Sequence, residues 1–373
     1  MDLNNYTQHC TRCGSKMHRN GITKQGNIRY RCPSCGKSTS VNVHSKRDDV
    51  RLRNMFIGME GLLTSKKTFS EYAKSRGLSR VTVSRYLHEC IDKISLNPPD
   101  PTGEVYDCVV VDATWLRNGG TVAIAVAKGK VQQWVFSTRD EGINIWLAVF
   151  SKIPKPGCIV CDGHKGLIAA AKRTYGEDIR IQRCLFHLHN SMKSYLKPKT
   201  TKDKAAIELW ELFRTITTIK TVNSARNFEK HFQELYSRHR EHVDEHTMMT
   251  TPTNQVMPNY THRNLHAGYA LIDNLIKDKQ LFNYLDHKDL GIPNTTNDLE
   301  GGINSRINEL LRCHRGLTFS GQMWLVNFYL WTRTEQAKPP FKLKQNPNEK
   351  PRDYQLLKSP LRPRPRRRNI KRK

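Results

Sequence analysis

The order of apolar and polar positions divides the chain into stretches of different period. Residues 49–64, DVRLRNMFIGMEGLLT, repeat their apolar positions every three or four residues, and 68–94, TFSEYAKSRGLSRVTVSRYLHECIDKI, do so twice around Gly77. This predicts one amphipathic helix followed by a helix-turn-helix, with Phe69, Tyr72, Ala73, Leu78, Val81, Val83 and Leu87 inward and Ser79 capping the second helix. The exposed start of that helix carries Arg80, Thr82, Ser84 and Arg85, residue types that a recognition helix presents to DNA. An ordinary helical hairpin has the same periodicity. The proline-rich SLNPPDPTG at 95–103 predicts a linker.

From Val105 the period shortens to two. VYDCVVVDAT, TVAIAVAKG and VQQWVFST predict a three-stranded meander, GINIWLAVFSKIP a helix and CIVCDG a buried strand. LIAAAKRTYG then reads as a helix and DIRIQRCLFH as another strand. Helical periodicity fills 188–290, interrupted by a polar stretch at 246–262 that predicts a loop, and two more helices run through 337. Trp210, Trp324 and Trp331 fall on apolar helix faces, as core residues rather than stacking platforms. Strands that begin as a meander and continue in alternation with helices predict an α/β sheet with antiparallel and parallel parts, in a multidomain chain.

Charge narrows the partners. Among 373 residues, 62 Lys and Arg against 34 Asp and Glu leave a formal net charge of +28, which attracts a polyanion such as nucleic acid. No apolar run approaches the roughly 18 residues of a membrane span. The first residues, MDLNNYTQHC, lack a signal-peptide pattern, so a cytoplasmic or, in a eukaryotic host, nuclear location is expected. From Lys338 onward, fourteen Lys or Arg with several Pro predict a disordered basic tail that meets phosphate backbones by charge alone.

The cysteines are patterned. Cys10-x2-Cys13 and Cys32-x2-Cys35 each precede a glycine, Gly14 and Gly36. Two such knuckles suit one tetrahedral structural Zn²⁺, with four thiolates and no open position for catalysis. A unit of about 40 residues needs such a staple, because its apolar core is too small to hold it.

Three acids stand out in this basic chain. Asp112 closes VVV, Asp162 closes CIVC before Gly163, and Glu300 lies in the helical TTNDLEGGINSRI. Ligand sites in α/β sheets lie beyond the carboxyl ends of strands. Three carboxylates gathered there repel one another unless cations neutralise them. Their hard oxygens suit two Mg²⁺ or Mn²⁺ ions, as in in-line phosphoryl displacement. The bland alternatives are turn or capping roles for the aspartates and a solvated helix face for the glutamate.

The order of zinc ribbon, helix-turn-helix, Asp112, Asp162-Gly163, Cys184-x2-His187 and Asn297-x2-Glu300 resembles the DDE transposases of bacterial insertion sequences. It is most similar to the Mutator-like superfamily and its relatives with an N-terminal zinc ribbon. The resemblance implies an RNase H-like catalytic domain with a helical insertion. Its expected layout is a ribbon over 1–45, a DNA-binding domain over 46–97, a catalytic domain over 104–190 and 291–337, an insertion over 191–290 and a tail over 338–373. It further implies binding of terminal inverted repeats and target DNA, assembly as a homodimer or larger complex, and catalysis by Asp112, Asp162 and Glu300 with Mg²⁺. His187 would orient water or touch the scissile phosphate, or be a packed histidine. Cys184 and His187 also have zinc-like spacing, a reading we disfavour. The rivals are a transposase-derived regulator without chemistry and another RNase H-like integrase or nuclease.

Overall fold

The computed structural model describes residues 9–41 without 25 and 26, residues 58 and 62, 67–93, 97–335 without 118, 139, 140 and 251–254, residue 337, and 356–357. The helix expected over 49–64 (Gly58 and Leu62 apart) and the basic tail (Leu356 and Leu357 apart) lie outside the described residues. The described residues group into two compact units that part near residue 95.

In the N-terminal unit, β1 (His18–Ile22), β2 (Ile28–Arg31) and β3 (Ser38–Val41) form an antiparallel sheet in that order. Alternation in IRYR turns Ile28 and Tyr30 inward against Met17, Cys10 and Cys32, and leaves Arg29 and Arg31 exposed. Two helices follow, α1 (Phe69–Ser75) and α2 (Arg80–Lys93). Gly77, at φ +64°, makes the turn between them. Ser79 Oγ accepts the Thr82 amide at 3.1 Å, as a capping residue should. Tyr72, Ala73, Val83, Leu87 and Cys90 are buried. Val81, expected inside, is 77% exposed, because the inward stripe passes through Val83 and Leu87 and leaves the first turn outside.

The C-terminal unit is built on a mixed sheet. Strands β4 (Cys108–Trp115), β5 (Thr121–Ala127) and β6 (Lys130–Ser137) form the meander, with β5 antiparallel to both neighbours. Strands β7 (Cys158–Cys161) and β8 (Ile181–Arg183) extend it in parallel on the other side of β4. A two-residue strand, β11 (Leu356–Leu357), pairs with β6, giving the order β11-β6-β5-β4-β7-β8. Every residue of β5 is buried, which marks the middle of the sheet.

One face packs on α3 (Ile143–Phe150) and α4 (Lys165–Tyr175), with Val109, Val111, Trp146, Phe150 and Leu167 in that core. On the other face, Val110 and Cys108 meet Ile292 and Leu290. Since side chains alternate along a strand, Asp112 shares the face of Cys108 and Val110.

Four longer helices, α5 (Leu185–Leu196), α6 (Lys204–Phe213), α7 (Val222–Val243) and α8 (Arg263–Lys277), bury their apolar stripes together around Phe213, Phe228, Phe232 and Tyr269. Asp203 caps α6, and Thr221 with Ser224 forms a capping box on α7. After the short α9 (Asn283–Asp286), a π-helical turn (Asp298–Asn304) leads into α10 (Ser305–Cys313) and then α11 (Phe319–Thr332). Residues 321–330 of α11 are all buried, and Trp134 Nε1 donates to Asn327 Oδ1 at 2.7 Å.

Two sequence expectations change here. The stretch at 246–262 is not a loop but a hairpin, β9 (His246–Thr250) on β10 (Val256–Tyr260), with Met249 opposite Met257. Its side chains are mostly exposed, so it carries no apolar alternation for a pattern reading to find. The strand in DIRIQRCLFH ends at Arg183, and Leu185, Leu188, Met192 and Leu196 already follow the helical period of α5.

Phe232 is fully buried where α7 meets α8. Phe232→Ala should lower stability by about 3–5 kcal/mol, measured as a lower urea midpoint.

Candidate active site and candidate zinc centre

In the N-terminal unit, each Cys-x2-Cys knuckle turns back on itself. The Gly14 amide donates to Cys10 O at 2.8 Å and the Gly36 amide to Cys32 O at 3.0 Å, with φ +72° and +71° at the two glycines. The turns bring Cys10 Sγ to 3.5 Å from Cys35 Sγ, and Cys13 Sγ to 3.4 Å from Cys32 Sγ; all four sulfurs lie within 4.8 Å of one another. A zinc ion about 2.3 Å from each sulfur needs edges of about 3.8 Å, so the four thiols fit it. Hydrogen bonds from Ser15 hold the Cys13 thiol down to about 6, while Cys35, against the lowering effect of the Lys37 amide, is pushed up to about 12 by burial and the neighbouring cysteines, as in a cluster of thiols that share protons.

In the C-terminal unit the three candidate carboxylates are delivered by different elements. Asp112 does not close its strand, as the sequence reading had it, but sits inside β4, paired with Ile124 of β5. Its Oδ2 accepts a 2.6 Å hydrogen bond from Asn304 Nδ2 at the end of the π-helical turn. Asp162 follows β7 directly; its Oδ1 accepts the His164 amide at 2.9 Å. Gly163 has φ +88°, and a Cβ there would lie 1.8 Å from the Arg183 guanidinium, which itself donates to Asp162 O at 2.8 Å. The Asp-Gly pair thus lets an arginine lie flat against the backbone that carries Asp162.

Glu300 lies in the π-helical turn rather than in a regular helix. Its Oε1 accepts from Thr296 Oγ1 and lies 3.3 Å from His187 Nδ1 and 4.0 Å from Cys184 Sγ. The Cys184 sulfur in turn accepts from the Thr296 amide and hydroxyl at 3.3 and 3.2 Å. Cys184, His187 and Glu300 therefore form the tight group, with ligand atoms within 4.8 Å, and Asp112 and Asp162 stand outside it. The structure brings His187 to Glu300 as a side-chain neighbour, exposed enough to meet a ligand.

Electrostatics link the members. Burial pushes the Asp112 carboxyl up to about 7; the Ala113 backbone amide opposes this, Asp162 and Glu300 add to it, and the positive His187 opposes it. Hydrogen bonding to Cys184 raises His187 to about 9, against burial and with help from Glu300 and Asp112. Burial would raise Cys184, but His187 and Thr296 lower it below the usual thiol range.

A fourth carboxylate escaped the sequence reading. Glu141, just before α3, accepts from Trp146 Nε1 at 2.7 Å and lies 3.7 Å from His164 Nδ1; burial and then Asp162 raise its pKa. Asn304 and Thr296 were missed as well, since neither stands in a recognisable motif. Asn304 Oδ1 and Arg183 Nε are buried without a hydrogen-bond partner among the described residues. Hard carboxylate oxygens beside orphaned polar atoms fit a site completed by Mg²⁺ or Mn²⁺ and substrate.

The comparison with known families gives the class first: residues 4–276 match a family of transposases, described as "Transposase, Mutator family". The chain belongs to the Mutator family of transposases. The matched span ends before Glu300, so that residue rests on its place in the fold. No curated protein matches the chain. Among the described residues, no helix is long and apolar enough to cross a membrane.

Two predictions arise here. Loaded with Co²⁺, the protein should show thiolate-to-metal charge-transfer absorption that Cys13→Ser weakens strongly. The second concerns pH. Asp112 loses its proton near 3.8 when unfolded and near 7 when folded, so metal-free stability falls as pH rises through that window. Asp112→Asn, a mimic of the protonated form, should raise the melting temperature of metal-free protein above pH 7. That gain should shrink towards pH 4.

Proposed function

We propose that this chain is a DDE-type transposase: the N-terminal unit reads the terminal inverted repeats of its own mobile element, and Asp112, Asp162 and Glu300 carry out strand cleavage and strand transfer. The observation that carries the reading is geometric: β4 and β7 run parallel with Val110 opposite Val160, two residues before Asp112 and Asp162, and the turn that bears Glu300 reaches Asp112 through Asn304, in a chain of net charge +28.

The sheet supports an RNase H-like reading. Its five main strands run in the order β6-β5-β4-β7-β8, with only β5 antiparallel, and the four longer helices and the short α9 intervene before Glu300. The two short helices around Gly77 support a helix-turn-helix, with Arg80, Thr82 and Arg85 on the exposed start of α2. A structural Zn²⁺ on the four cysteines would hold the ribbon beside it.

Mg²⁺ or Mn²⁺ bound by Asp112, Asp162 and Glu300 would supply charge stabilisation at the phosphoryl oxygens and activate water, and later a 3′-hydroxyl, for in-line attack. Asn304 keeps Asp112 Oδ2 aimed into the site, and Arg183 holds the Asp162 backbone. His187, protonated at neutral pH, offers a cation beside Glu300 to a phosphate oxygen of the DNA. Pairing of two element ends calls for a dimer or larger assembly. The chain's surplus of Lys and Arg, in the tail and between residues 191 and 290 among others, would bind the DNA backbone, so affinity falls steeply with salt.

The test is incubation with labelled element ends, target plasmid and Mg²⁺. Strand-transfer product should form and should fall by about 100-fold or more in Asp112→Ala, with end binding retained. End binding without metal-dependent cleavage in the unmutated protein would instead identify a DNA-binding regulator.

A further inference from the structure

A second group of metal-ligating side chains lies in the helical insertion, apart from the carboxylate site. Asp203 precedes α6, His242 is in the last turn of α7, and His262 directly precedes α8. Their ligand atoms all lie within 4.8 Å of one another.

Each residue is held in a way that leaves a donor atom turned towards the others. Asp203 Oδ1 caps α6 by accepting the Ala205 and Ala206 amides at 2.9 and 3.3 Å, which leaves Oδ2 to face His242 Nε2 at 2.9 Å. His262 occupies the capping position of α8 without making a side-chain cap. Its Nε2 lies 3.1 Å from Glu245 Oε2 instead, the carboxylate–imidazole arrangement that orients ligating histidines. The two imidazole rings lie with centroids 3.9 Å apart.

The ordinary alternative is a network of His–carboxylate ion pairs. Such a network accounts for each pair by itself, but not for three ligand atoms within 4.8 Å of one another with the ring centroids 3.9 Å apart. One divalent cation satisfies both rings and the carboxylate together. The place is open to ions: clefts of about 410 and 520 Å³ meet at Asp203, one lined by His242 and the other by His262.

We propose that Asp203, His242 and His262 form a further divalent-metal site that ties the root of the β9–β10 hairpin. Two nitrogens and one oxygen select a borderline ion of the zinc class over Mg²⁺, and leave a fourth position for water or Glu245. The hairpin runs entirely between His242 and His262, so the ion closes its base. It thereby sets the direction of a projection whose exposed side chains include Met248, Met249, Val256 and Met257. The site does not depend on the transposase reading, since none of its residues belongs to the carboxylate group.

The test is equilibrium dialysis of the full chain against Zn²⁺ with metal counted per chain, and hydrogen exchange of the 246–260 amides. Two tightly bound ions are expected in the unmutated protein, and one in His242→Gln and in His262→Gln, each with an unchanged circular dichroism spectrum. Exchange in the hairpin should slow at least several-fold when Zn²⁺ is added, and should not respond in either variant. A single ion in the unmutated protein would overturn the proposal. So would a second ion lost in His187→Gln but kept in His242→Gln, since it would then belong with Cys184 and Glu300.

Discussion

A carboxylate held inside the central part of a sheet is the constraint around which the C-terminal unit is arranged. Asp112 lies beside β5, whose residues are all buried, and burial is the largest of the causes that bring its carboxyl up to about 7. Several departures from regular structure serve that position. The π-helical turn brings Asn304 to Asp112 while Glu300, four residues earlier, reaches His187 and Thr296. The glycine after Asp162 has positive φ and gives way to Arg183. π-Helical turns are rare and recur at functional sites, and this one carries both Glu300 and Asn304.

The N-terminal unit follows a different logic. Its apolar core is a handful of residues, and two glycine-relieved knuckles hold four thiols at the spacing of a zinc tetrahedron. There the ligand set is local to two short turns. In the C-terminal unit the neighbours of each acid depend on the fold, because Asp112 reaches Asn304 and Glu300 reaches His187 only once the sheet has formed and the helices between β8 and the π-helical turn have packed. That difference explains why spacing alone pointed to the cysteine site, while the three acids, singled out by their place after strand valines, at a strand end and in a helix, kept turn, cap and helix-face roles as alternatives.

Most strands of the sheet were legible, because runs such as CVVVDATW and TVAIAVA combine β-branched residues with a clear period of two. The failures have physical causes. The β9–β10 hairpin exposes both faces, so nothing in its sequence alternates, and its polar composition reads as loop. Val81 falls outside because helix phase is settled by the partner surface rather than by the apolar count. Glu141, Asn304 and Thr296 matter through neighbours far along the chain, and no local pattern encodes those neighbours.

By itself the sequence determined the four-cysteine knuckles, the basic balance that calls for a polyanion, the meander of β4 to β6 and the helical character of most of residues 188–290. Each is a local property: ligand spacing, charge count, or period of apolar positions. Only the tertiary structure decided which acids share an electrostatic environment, that His187 and Cys184 attach to Glu300 rather than to the aspartates, and that Asp203 meets His242 and His262. Those are encounters between residues tens to more than a hundred positions apart, set by strand order and helix packing. Pattern along a chain does not carry them.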